Sequence, residues 1–76
     1  MQTEKIMLNT DGTSTQITKG SEGYTIVQNK SNGIVYWNSD NSDNWHTLDD
    51  NDILKIGFDI YVKSSSKYES FIIVTK

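Results

Sequence analysis

Seventy-six residues make one domain, and a chain this short buries only about 60% of the surface its unfolded form exposes, so its core is thin. With no cysteine and a single histidine it lacks the disulfide or zinc staple of many small domains, which leaves oligomerisation as the source of added stability. A net charge of −3 with seven lysines and no arginine argues against nucleic-acid binding, and no apolar run exceeds four residues, against the ~18 of a membrane span.

No basic, apolar secretory leader opens the chain, and the absence of cysteine agrees with folding in a reducing cytoplasm. Helix signals are weak throughout. Alanine is absent, leucine occurs at Leu8, Leu48 and Leu54 alone, and no window places apolar residues at helical spacing. Residues 1–16 admit two readings. EKIML and TSTQIT can be strands joined by an NTDG turn, or the segment is an extended arm or edge strand that orders against a neighbouring subunit. Further on, GYTIVQN (23–29) and GIVYWN (33–38) flank a polar break ending in Asn-Gly, which predicts a hairpin over 23–38 because both residues tolerate positive φ.

The stretch LKIGFDIYV (54–62) sets Leu54, Ile56, Phe58, Ile60 and Val62 on one face and Lys55, Gly57, Asp59 and Tyr61 on the other, a period of two that a helix does not produce. Gly57 marks a bend at which this run can divide into two short strands meeting at a corner. The closing SFIIVTK is an apolar strand covered on both faces or paired in a sheet centre, and SSSKYE supplies the turn before it. Short strands joined by Asn, Asp, Gly and Ser turns predict an all-β fold: a small antiparallel β-sandwich or partly open barrel of about 6–7 short strands, spanning residues 1–76 as one domain.

Residues 38–52, NSDNSDNWHTLDDND, hold five aspartates and the only histidine, while the other 61 positions hold seven lysines against five acids. An EF-hand loop wants oxygen ligands at its first, third, fifth and twelfth positions and glycine at the sixth. Counted from Asp40, the third and fifth are Ser42 and Asn44, but the sixth is Trp45 and the twelfth Asn51, so the match fails where it is most diagnostic. An irregular calcium site from Asp40, Asp43, Asp49, Asp50 or Asp52 is the sharper reading, and a solvated acidic loop the preferred one. Paired carboxylates can also cleave glycosides across a cleft, but these sit among Asn and Ser where water solvates them. His46 has no second histidine and no nucleophile-like partner, so it is read as structural. No catalytic residue, metal or cofactor is expected.

Trp37 and Trp45, with Tyr36, Tyr61 and Tyr68, can form an aromatic platform for a partner or a sugar, since these side chains join apolar area to a polar tip. At least one tryptophan should instead pack in so small a core. Alternation separates Tyr36 from Trp37, and the outward one of the two is the better interface candidate. In Gln28-Asn29, one side-chain amide is expected to turn inward and bond the backbone of a crossing strand, fixing a corner of the sandwich.

Tyr24, Ile26, Gln28 and Asn29, then Gly33, Val35, Tyr36 and Trp37, a polar loop, and Ile60, Tyr61, Val62, Lys63 and Ser64 before a last apolar strand follow a familiar order. Over residues 17–76 the chain resembles small bacteriophage virion β-sandwich domains of the capsid-decoration, head-fibre and tail-fibre type. It departs from them in lacking a proline in the loop and in its first sixteen residues. The resemblance implies a non-enzymatic viral structural protein located on the virion after folding in the host cytoplasm, partnered by itself, with a homotrimer favoured, and by other virion proteins. The alternative is a glycan- or receptor-binding module. In either case Tyr36, Trp37, Trp45, Asp40, Asp43 and Asn44 are the candidate binding residues.

Overall fold

The computed structural model describes residues 2–40, 43–65 and 69–76, so Asn41 and Ser42 of the acidic loop, Tyr68 and the centre of the SSSKYE turn lie outside the described residues. The described residues form β1 (Thr3–Met7), β2 (Thr15–Ile17), β3 (Thr25–Asn29), β4 (Val35–Asn38), β5 (His46–Leu48), β6 (Ile53–Ile56), β7 (Ile60–Ser64) and β8 (Phe71–Thr75). They make two four-stranded antiparallel sheets in the orders β1-β8-β3-β6 and β2-β7-β4-β5.

Every early strand pairs with a late one: β1 with β8, β2 with β7, β3 with β6 and β4 with β5. The chain is thus a long antiparallel ribbon with its apex between β4 and β5, wound so that successive pairs fall in alternate sheets. Lateral pairing of β3 with β8 and of β4 with β7 completes each sheet. This is the jelly-roll way of disposing of sheet edges.

The buried hydrophobic residues between the sheets are all aliphatic: Leu8, Ile17, Val27, Val35, Leu48, Ile56, Ile60, Val62, Ile72 and Val74, with Ile6, Trp37 and Leu54 packed against them. β-Branched residues dominate because they fit a pleated, half-covered surface. Register aligns them across strands, Val27 with Leu54 and Val74, and Val35 with Leu48.

Several expectations need correction. The predicted hairpin over 23–38 does not form: β3 lies in the first sheet and β4 in the second. Asn32 has φ 62°, but Gly33 stays outside the left-handed region, so the tight turn that needs both is not made. The connection is gathered instead around Asn29. The alternating run 54–62 divides at Gly57 into β6 and β7, which belong to different sheets. Phe58, expected inside, sits at that corner and is 48% exposed, because the bend carries it away from the shared interior. The strand count rises from six or seven to eight partly because HTL, read as loop, forms β5 against β4. Residues 3–7 lie along β8 as an edge strand rather than as a detached arm, and β8 occupies an inner position of its sheet as its apolar run suggested.

Candidate functional site

The β4–β5 hairpin sorts the aromatic candidates onto opposite faces of the second sheet. Tyr36 stands opposite Thr47 and Lys63 on the outer face. The Lys63 ammonium lies 4.3 Å from the Trp45 ring centroid and 5.8 Å from that of Tyr36, so one cation bridges two outward aromatics. Trp37 takes the other side, packs against the core and meets the His46 ring at 4.7 Å and 36°. The choice left open by alternation therefore falls on Tyr36 as the outward residue, with Trp37 as the packing tryptophan.

Asp40, Asp43 and Asn44 are exposed around the hairpin apex, beside Trp45. The remaining aspartates of the acidic stretch lie beyond the far end of β5 and serve a turn. Asp50 accepts from the Asn32 backbone N–H at 2.9 Å and from Asn51 Nδ2 at 3.2 Å. Asp52 N–H donates to the Asp49 carbonyl at 3.0 Å, and Asn51, with φ 68°, donates its N–H to the Asn29 carbonyl at 2.8 Å. The stretch is thus an apex and a structured corner rather than one cluster. Among the described residues no three His, Cys, Asp or Glu side chains converge as a metal would require.

Asn29 is fully buried and completes that corner. Its Nδ2 donates to the Gly33 carbonyl at 2.5 Å and the Leu48 carbonyl at 2.9 Å, while its Oδ1 accepts from Ser31 N–H at 2.9 Å and Ser31 Oγ at 2.6 Å. The inward amide foreseen for the Gln28-Asn29 pair is Asn29. Gln28 faces outward and donates to the Asn51 carbonyl at 3.4 Å.

A second surface escaped the sequence reading. On the outer face of the first sheet, register lines up Met7 with Phe71, then Lys5, Ile73, Gln28 and Ile53, then Thr3, Thr75, Ile26 and Lys55. Ile53 is 62% and Met7 47% exposed, while Phe71, Ile73 and Ile26 are half-buried. Lys5 lies 4.2 Å from the Phe71 centroid and Lys55 4.6 Å from that of Tyr24. The phenol of Tyr24 is pushed above its usual pKa, chiefly by the neighbouring Glu22 carboxylate. A signal was present in FIIVT: one side of a strand suffices to fill a core, so Phe71 and Ile73 were surplus to it.

No family model matches the chain, and no curated protein matches it either. Its fold is similar to that of a de novo designed double-stranded β-helix solved in solution by NMR, with a TM-score of 0.76 over 97% of this chain and 96% of that one, at 12% sequence identity. At that identity the likeness speaks to architecture alone, and it agrees with the strand order above: the chain is all-β, its described residues forming an eight-stranded double-stranded β-helix of two antiparallel four-stranded sheets.

Proposed function

We infer that the chain is a non-enzymatic structural module that works by associating with other proteins, as a capsid-decoration or fibre component of a bacteriophage virion. The observation that carries the association is the outer face of the first sheet, where Met7, Ile26, Ile53, Phe71 and Ile73 gather on one side. Single exposed apolar residues are ordinary, but several of them gathered on one face mark an interaction site. The virion setting is supported by the ordered resemblance over residues 17–76, and the thin aliphatic core supports added self-association, with a trimer favoured.

Light scattering on the purified protein and co-sedimentation with phage heads and tails test this reading together. A homo-oligomer that sediments with particles is expected. A stable monomer that binds neither heads nor tails defeats it.

A second reading has its own observation. Trp45 and Tyr36 face outward around Lys63, with Asp43 and Asn44 beside them, which combines a flat apolar surface with polar groups as sugar recognition requires. A glycan array gives its test: signal that disappears in Trp45→Ala supports a glycan-binding face, and a blank array removes it.

A further inference from the structure

We propose that the outer face of the first sheet is the docking surface for an extended segment of another protein that alternates or mixes apolar side chains with carboxylates, a proposal that rests on the association reading above. The charge pattern picks out this partner. Lys5 and Lys55 stand at outward strand positions and Lys30 follows directly after β3, reaching Asn51 Oδ1 at 3.3 Å, while no Asp or Glu occupies an outward strand position of this sheet. In a chain with ten acids against seven lysines, a face whose charged strand positions are all lysine runs against the overall balance. Carboxylates on the partner would meet those cations, and its apolar residues would cover Ile73, Ile26 and Ile53.

Two considerations weigh against a second copy of this chain as the occupant. Two such faces laid together would bring Lys5 and Lys55 of both copies together across the strands, with the Glu22 carboxylate, on the Tyr24 hydroxyl, lying beyond the strand positions, and that like-charge juxtaposition opposes association. The face is also small. Four strands about 4.8 Å apart and four or five residues long give a flat footprint on the order of 300 Å², a small platform beside the about 800 Å² of accessible surface that each partner contributes to a standard interface. A flat area of that size suits one extended segment. Self-association, where it occurs, then uses other surfaces, and a homo-oligomer would present several copies of this face to its carrier.

The test uses the whole chain labelled with ¹⁵N and two soluble peptides, one alternating glutamate with valine and one alternating lysine with valine. The glutamate peptide is expected to shift the amide signals of Lys5, Ile26, Gln28, Ile53 and Ile73, with affinity that falls as salt is added. Reversing two attractive pairs in Lys5→Glu/Lys55→Glu should weaken it about tenfold. Ile53→Ser, which removes apolar cover without changing charge, should weaken it with unchanged salt dependence, and keeps the test decisive if the double variant unfolds. Shifts centred on Tyr36, Trp45 and Thr47, equal response to the lysine peptide, or no response to either peptide would overturn the proposal. So would binding to vesicles of phosphatidylcholine and phosphatidylserine without any response to the peptide, since a lipid surface would then be the ligand. Co-sedimentation with phage particles separates the two levels. If wild type and Lys5→Glu/Lys55→Glu sediment equally, the face is wrong and the association stands; if the peptide response holds and no particle binds, the face stands and the virion reading falls.

Discussion

The Asn29 side chain, at the end of a strand in the first sheet, donates to the Leu48 carbonyl in the second at 2.9 Å. It is the buried tie between the layers at the corner where β3, β4, β5 and β6 meet. Replacing it with leucine would keep an apolar volume of similar size and strand the carbonyls of Gly33 and Leu48 and the Ser31 donors away from their partner. Each buried polar group left unsatisfied costs about 1–3 kcal/mol, with some recovered by water at the rim, so Asn29→Leu should lose about 2–4 kcal/mol. Urea denaturation of the two proteins, compared at equal slope, measures that loss. Asn29→Asp should be no better, because a carboxylate cannot donate to either carbonyl.

The inward turn of one amide in Gln28-Asn29 could be anticipated from the sequence, as could the all-β class, the corner at Gly57 and the inner position of β8, since each follows from local alternation or turn chemistry. What local pattern does not carry is which strand pairs with which. Asn32-Gly33 signals a turn but not its type, and β3 finds its partners in β6 and β8 because Val27 can then align with Leu54 and Val74 across the core. β5 escaped because His46–Leu48 is too short for alternation to register and stands inside a polar stretch. At the candidate surface, Tyr36 and Trp45 were readable as residue types, but their meeting through Lys63 depends on the pairing of β4 with both β5 and β7.

Neighbouring residues of β8 should behave very differently on truncation. Ile72 is completely buried, whereas Ile73 faces outward and is half-covered. Ile72→Ala should therefore cost about 2–5 kcal/mol, from lost transfer energy and the cavity left behind. Ile73→Ala should cost about 1 kcal/mol, as a substitution away from the core. Thermal melts of both variants test the assignment of faces directly, since a one-residue slip in register would exchange the two results.

The two tryptophans should be separable by mutation. Trp37 contacts the core and His46, while Trp45 lies on the outer face under Lys63. Trp37→Ala should cost about 3 kcal/mol, at the low end of the range for large aromatic truncations because the ring is only partly buried. Trp45→Ala should cost about 0.5–1 kcal/mol, the scale of an exposed cation–aromatic contact. Denaturation curves for the single variants give both values, and loss of stability concentrated in Trp45→Ala would reverse the assignment.

Acid should loosen the β1–β2 connection through Asp11. Its carboxylate accepts from Thr13 Oγ1 at 2.6 Å and from Thr13 N–H at 3.0 Å, and these bonds hold its pKa below the usual aspartate value. For a carboxyl group depressed in the folded state, the stabilisation is present above the unfolded-state pKa and is lost as pH falls through the folded one. The Thr13 amide signal should accordingly keep its neutral-pH position below the pH at which a free aspartate titrates, then move as Asp11 takes its proton. In Asp11→Asn the acid-side movement of Thr13 should vanish, because the residue at that position no longer titrates. An unaltered Thr13 titration in that variant would assign the effect to another group.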